Sequence, residues 1–191
     1  MKLILASTSP RRAALMELAK IDCEILPSSY DESTLVEYDI EKKSKLLAYN
    51  KAKDVFDNTQ DDRTIIGADT IVVLNGKILG KPEDRSDAIR MLRQLQNNVH
   101  TVYTSIAILI EYHGKYKEYN EIVKTDVYVR KMDDQEIINY VDSEEPFDKA
   151  GAYAIQSSFA SFIDRIEGNY MSVIGLPINR VYEILKENEI I

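Results

Sequence analysis

Four stretches of this 191-residue chain carry residues whose types and spacing could do chemistry. Leu5 to Arg12, LASTSPRR, reads as a strand running into a helix, with Ser9 as the N-cap and Pro10 at the first helical position. Unpaired N–H groups and the positive end of the helix dipole favour an anion there, and Arg11 and Arg12 add forked donors that match phosphate oxygens. Tyr30-Asp31-Glu32-Ser33 makes an acidic loop, and Lys81 stands before Pro82. Asp69 lies within a β-rich run, where aspartate is disfavoured and, once buried, needs a partner such as a lysine or a divalent metal. Each feature has an ordinary reading: a capped helix with solvated arginines, or an ion pair from Asp69 to Lys51 or Lys81. Combined, they offer another. Oxygen ligands from Glu32 and Asp69 hold a hard cation, while Arg11, Arg12, Lys51 and Lys81 balance the charge of a polyphosphate. Such a set describes a nucleotide phosphohydrolase.

The elements that must position these residues follow from hydrophobic periodicity. Residues 2–6 read as a short buried strand, and the helix from Pro10 has Ala14 and Leu18 one turn apart on its apolar line. Ile21 to Leu26 reads as a second strand. Glu41 to Phe56 has helical spacing, with Leu47, Lys51 and Val55 in line and Ala48 and Ala52 beside them. Lys51 therefore sits within an apolar stripe, and either snorkels to solvent or reaches inward to an anionic site. Residues 64–81 form two β-rich runs joined by Asn75-Gly76, the preferred type I′ hairpin turn. That register pairs Leu74 with Lys77 and, continued outward, Thr70 with Lys81. Pleating then puts Asp69 on the opposite face, so a direct Asp69–Lys81 contact requires a bulge or an early strand end, expected at Gly80.

Further along, Asp84 or Ser86 caps a helix bearing Ala88, Met91, Leu92 and Leu95 on one face. Val99 to Ile110 and Asn120 to Arg130 suggest a long antiparallel hairpin turning near His113-Gly114. His100, on an apolar face, reads as a hydrogen-bonded core or edge histidine rather than a catalytic one, and His113 as exposed. Asp133 and Glu136 have capping-box spacing before another short helix, a strand is expected at Ser161 to Ile166, and Pro177 opens a final helix that turns Ile178, Val181 and Leu185 inward. Early alternation of strands and helices with an antiparallel middle gives an α/β fold with a mixed sheet flanked by helices.

Composition narrows the partners. A formal charge of −8 argues against a broad face for duplex nucleic acid, so any phosphate site must be a local basic pocket. The single cysteine, Cys23, excludes an internal disulfide, and with only two isolated histidines no zinc site of the usual spacing can form. Cys23 is expected to be buried and unreactive. The N-terminal apolar run of four residues is far short of a signal segment or membrane span, and the expectation is a soluble, cytoplasmic protein without a membrane partner.

The stretches LASTSPRRAALM, YDES, IIGADTIVVLNGKILGKP, DKAGAYAIQ and NYMSVIGLPI, in this order along nearly the whole chain, resemble the Maf family of nucleoside triphosphate pyrophosphatases. The resemblance implies a single Maf/ITPase-like α/β domain over residues 1–191, with a mixed, elongated sheet and a cleft between two lobes. It implies cleavage of a nucleoside triphosphate between its α- and β-phosphates with a divalent metal, magnesium or manganese, and suggests a homodimer. Asp69 matches the family's catalytic aspartate, which orients or deprotonates the attacking water; Glu32 assists Asp69 in metal binding. Lys51 and Lys81 stand nearest the chemistry, and Ser7 with the helix start holds the phosphate tail. DKAGAYAIQ is similar to the branch acting on dTTP and UTP rather than the branch linked to 7-methyl-GTP, and there Arg12, Thr70 and Gln156 occupy the positions associated with substrate choice. The Gln156 amide offers a donor and an acceptor that can read a pyrimidine edge. Ser157 departs from the family's glycine after that glutamine, and Asn97-Asn98 from its Ser-Gly before His100. Three other readings stand beside this one: a house-cleaning pyrophosphatase for modified nucleotides, a nucleotide-binding regulator of septum formation in cell division, and a catalytically silent α/β scaffold.

Overall fold

The computed structural model describes residues 2–37, 39–60 and 62–191. Its strands are β1 (Lys2–Leu5), β2 (Glu24–Ile25), β3 (Arg63–Leu74), β4 (Lys77–Leu79), β5 (Asn98–Tyr112), β6 (Lys115–Val129) and β7 (Ile163–Glu167). Its α-helices are α1 (Pro10–Leu18), α2 (Ile40–Asp57), α3 (Arg85–Leu95), α4 (Asp134–Asp142), α5 (Tyr170–Ile174) and α6 (Ile178–Glu187). Among the described residues the strands form one seven-stranded sheet in the order β2-β1-β3-β5-β6-β7, with β4 paired to β3. β1 runs parallel to β2 and β3, whereas β4 and β7 run antiparallel to β3 and β6, giving the expected mixed α/β sheet. The chain divides into two compact units: Met1–Asp69, Thr104–Val123 and Gly175–Ile191 make one, and Thr70–Tyr103 with Lys124–Ile174 make the other.

In the first unit α2 lies on the sheet with Ala48, Ala52 and Val55 packed against Ile4, Ile65, Ala107 and Leu109. Asp39 caps this helix by accepting the Lys42 N–H. Small residues let the two layers approach closely. A Cβ built on Gly67 of β3 would stand 2.3 Å from the Ala48 carbonyl oxygen and 2.8 Å from the Ala52 nitrogen, so only glycine fits. An isolated glycine in a strand pattern is the sequence signal for such a contact, and hydrophobic periodicity alone passes over it.

Four local expectations in this unit are corrected. Helix α1 buries Leu15 and Met16, while Ala14 and Leu18 are exposed. The reason is Arg12, which lies three and four residues before the buried pair and is itself turned inward, fixing the rotation of the helix. The strand expected at Ile21 begins only at Glu24, because Lys20 adopts a positive φ and the Ile21 N–H closes onto the Met16 carbonyl in the turn that ends α1. Cys23 is half-buried rather than buried; partial burial and the neighbouring Asp22 nonetheless push its thiol pKa up, away from the reactive thiolate. β6 also starts earlier than expected, at Lys115. A tight turn with positive φ at His113 and Gly114 zips the hairpin from its tip, although residues 115–118 are exposed and carry no apolar alternation.

In the second unit the hairpin has the expected register, Leu74 opposite Lys77, with positive φ at Asn75 and Gly76. β4 ends at Leu79, beside Gly80, the expected site of an irregularity, although Asp69 Oδ1 pairs with Lys51. Asp84 caps α3, and Asp133 with Glu136 forms the capping box of α4. Phe159 is fully buried with its ring centroid 5.1 Å from Tyr140 and 4.7 Å from Tyr153. Unforeseen, Asn169 starts the short α5 by accepting the Ser172 N–H. His100 is buried, as expected, and its Nε2 lies 2.7 Å from the Tyr153 hydroxyl.

Burial pushes the His100 pKa from 6.5 down to about 4, against a smaller opposing effect of Asp126. The folded protein keeps the ring neutral through a range in which an unfolded chain binds the proton. Stability therefore falls as pH drops from about 6.5 to about 4, by an amount on the order of 3 kcal/mol from this group alone. Urea midpoints at pH 7 and pH 4.5 should show a steeper loss for the wild type than for His100→Gln; parallel losses would remove His100 from the acid response.

Candidate active site

At the β1–α1 junction the side-chain cap expected of Ser9 is absent. Just before the helix, Ser7 Oγ accepts the Ser9 backbone N–H at 3.2 Å, closing a serine turn. The same oxygen accepts from Arg12 Nη1 at 3.2 Å, which leaves the buried Ser7 hydroxyl proton to be donated elsewhere. Arg12 Nε donates to the Gly175 carbonyl at 2.8 Å, a partner contributed by the distant NYMSVIGLPI stretch and not foreseen from sequence. Burial lowers the Arg12 pKa, with Asp69 and Glu32 raising it and Arg11 lowering it, so all four charged groups share one electrostatic neighbourhood.

Lys51 reaches inward. Its Nζ lies 2.7 Å from Asp69 Oδ1 and 2.9 Å from Glu32 Oε1, bridging the two carboxylates. Helix α2 supplies the lysine, β3 the aspartate, and the turn Glu32–Thr34, capped by Asp31, the glutamate. The Gly67 contact sets how closely the helix and the strand approach, and so places Lys51 within reach of Asp69. Asp69 is 6% exposed, and its Oδ2 is a buried oxygen with no hydrogen-bond partner among the described residues. Leaving such an atom unpaired costs about 1–3 kcal/mol, a feature that in a native structure calls for a ligand, water or catalytic explanation.

These donors fit a divalent cation. Two carboxylates converge on one positive centre and one of them keeps an unpartnered oxygen; a small hard ion that binds through one or two carboxylates, substrate phosphates and waters needs no more protein ligands. Among the described residues no group of three or more His, Cys, Asp or Glu side chains is placed to hold a metal ion.

Ser7, Arg11, Arg12, Glu32, Lys51 and Asp69 thus belong to the first unit, and Thr70, Lys81 and Gln156 to the second. Thr70 follows Asp69 on β3 and is half-buried. Lys81 is exposed just beyond β4 and lines a groove of about 700 Å³ together with Lys77 and Arg90. The DKAGAYAIQ stretch is stitched beside it, the Gly151 N–H donating to the Gly80 carbonyl at 2.9 Å. Gly151 has φ +69° and a Cβ there would meet Val72 at 2.9 Å, which explains the glycine. Tyr153, held by His100, anchors the segment that ends in exposed Gln156. Ser157 has φ −110°, so its position does not demand glycine, and its hydroxyl is consumed locally: it donates to the Ala154 carbonyl at 2.9 Å and accepts the Phe159 N–H at 3.3 Å.

A protein of Thermoanaerobacter sp. (strain X514) named dTTP/UTP pyrophosphatase is 44% identical over 190 residues, covering 97% of this chain and 96% of the relative. A protein of the same name from Clostridium novyi (strain NT) is 43% identical over 185 residues, 96% of each chain. A solved nucleoside-triphosphatase / dITP/XTP pyrophosphatase from Mycobacterium abscessus is a distant likeness, with 14% identity and a TM-score of 0.42 over 69% of this chain and 76% of that one. Residues 2–188 match the family described as Maf-like protein, and with near full-length relatives above 40% identity this chain belongs to that family.

Proposed function

We propose that this chain is a nucleoside triphosphate pyrophosphatase that hydrolyses dTTP and UTP to the monophosphate and pyrophosphate. The observation that carries the reading is Asp69: a buried carboxylate with Oδ1 fixed by Lys51 and Oδ2 unpartnered, within the electrostatic reach of Arg12. Oδ2 accepts a proton from the attacking water as its oxygen bonds to the α-phosphorus; the bond from that phosphorus to the bridging oxygen breaks, and pyrophosphate leaves with the electron pair. Lys51 and Lys81 offset charge developing on the phosphates, while Ser7, Arg11 and Arg12 hold the phosphate tail. Glu32 and Asp69 would hold magnesium or manganese, which when bound supplies charge neutralisation on the phosphates. Thr70 and Gln156 read the base. The local engagement of the Ser157 hydroxyl supports leaving that task to Gln156 and so favours the pyrimidine branch over a preference for modified nucleotides. A single functional domain over residues 1–191, a cytoplasmic location and a homodimer complete the reading, on the family resemblance. No helix among the described residues is long and apolar enough to cross a membrane.

The test is pyrophosphate release from a panel of canonical and modified nucleoside triphosphates with magnesium, manganese or no metal. Metal-dependent release led by dTTP and UTP is expected; binding without turnover would favour the regulator, and a modified nucleotide in the lead the house-cleaning enzyme. Arg12→Ala should raise the KM, because a lost charge-assisted hydrogen bond is worth about 1.5–3 kcal/mol. An unchanged KM with a lowered melting temperature would reduce Arg12 to its structural bond with Gly175.

A further inference from the structure

Asp54 lies on α2 one turn beyond Lys51, on the part of the helix that the strap before Glu32 crosses. Its Oδ2 accepts the Ser29 backbone N–H at 2.7 Å and the Ser28 hydroxyl at 2.9 Å, and the Ser29 hydroxyl lies 3.1 Å from each carboxylate oxygen. Ser28 Oγ in turn accepts the Tyr30 N–H at 3.0 Å. Among the described residues no other hold of comparable extent on the strap is seen: from Pro27 to Thr34 no residue is buried, so burial of apolar surface contributes little to its order. Glu32 itself is 56% exposed and touches α2 through Lys51. That second anchor is one for which a bound polyphosphate competes, since it draws on the same ammonium.

We propose that Asp54 is a positioning residue that latches the Ser28–Tyr30 strap to α2 and so holds Glu32 where it can share a divalent cation with Asp69. The inference rests on the reading of Glu32 and Asp69 as the metal-holding pair. An exposed carboxylate on an unburied loop loses conformational freedom when it binds an ion; a latch that has already ordered the loop reduces that loss. The helix that delivers Lys51 to Asp69 thereby also fixes the strap, through a carboxylate already engaged by Ser28 and Ser29.

Two measurements test it. In amide hydrogen exchange of the nucleotide-free protein, Asp54→Ala should speed exchange over residues 27–33 at least about tenfold, with α1 and β3 unchanged. In pyrophosphate release at saturating dTTP, the Mn²⁺ concentration for half-maximal turnover should rise about tenfold or more, while the KM for dTTP at saturating Mn²⁺ stays within about twofold. Asp54→Asn retains an acceptor for the Ser29 N–H and should recover part of both effects. Unchanged exchange over residues 27–33 overturns the latch whatever turnover does, and faster exchange with an unchanged Mn²⁺ requirement overturns its link to Glu32. If the wild type releases no pyrophosphate, the proposed function fails by itself. Mn²⁺ binding followed by electron paramagnetic resonance, wild type against Asp54→Ala, then decides the latch: weaker binding in the variant supports it and equal binding overturns it.

Discussion

Asp69→Asn should lower kcat for dTTP by about 10²–10⁴-fold, the range expected on losing a positioned general base, while the protein stays folded and still binds nucleotide. The substitution keeps the side-chain shape and one carbonyl oxygen that can accept from Lys51, and Glu32 continues to pair with that ammonium. What disappears is the negative charge and the proton acceptor at Oδ2, the buried oxygen with no partner. Because Asp69 is also half of the proposed metal-holding pair, the assay is run at saturating Mn²⁺; there the loss of an anion beside Arg11, Arg12 and Lys51 should leave the KM steady or lower. The split between kcat and KM is the informative part. Steady-state pyrophosphate release with a thermal melt of the same sample measures it, and a variant that retains wild-type kcat would move the chemistry away from β3.

Gly67→Ala should destabilise the fold by about 1–3 kcal/mol or more, as overpacking does where backbone must yield, and should lower turnover as well. The added methyl would lie 2.3 Å from a helix carbonyl oxygen and 2.8 Å from a helix nitrogen, neither of which can swing aside as a long side chain could. Helix α2 must therefore retreat from β3, carrying Lys51 from Asp69 and so loosening the bridge to Glu32. Gly80→Ala supplies the comparison for stability, because a Cβ there meets nothing within 4 Å. For a chain of this length about 2–4 °C of melting temperature is expected per kcal/mol, so a drop of several degrees for Gly67→Ala and almost none for Gly80→Ala should be seen. Equal melting temperatures would mean that the helix tolerates the methyl, and that its approach to β3 is not set by Gly67.

Features decided within a few residues are legible in the amino-acid sequence. The β3–β4 hairpin and its register follow from Asn75-Gly76, since the turn demands positive φ at both residues and these side chains tolerate it. The capping box of α4 and the Asp84 cap of α3 are likewise local bonds between neighbours. The inward faces of α2, α3 and α6 follow from spacing, and the core role of His100 from its place on an apolar strand face. The types of group in the candidate site are also readable, because an aspartate in a β-rich run and a lysine in an apolar stripe are each out of place unless something pairs them.

Which of those groups meet was decided only by packing. Sequence left Lys51 free to snorkel or turn inward, and Asp69 free to pair with Lys51, Lys81 or a metal; the close contact of α2 with β3 at Gly67 selects Lys51. The rotation of α1 depends on Arg12 reaching Ser7 and, more than 160 residues away, the Gly175 carbonyl. No periodicity within the helix encodes that partner. The same holds for Asp54, an ordinary exposed-helix residue by composition until the fold lays Ser28 and Ser29 across it. Sequence by itself determined the elements, their caps and the chemical inventory, because those depend on short-range sterics and hydrogen bonds; tertiary structure decided the pairing of charges, because which partner an ion finds depends on how closely two backbones can approach.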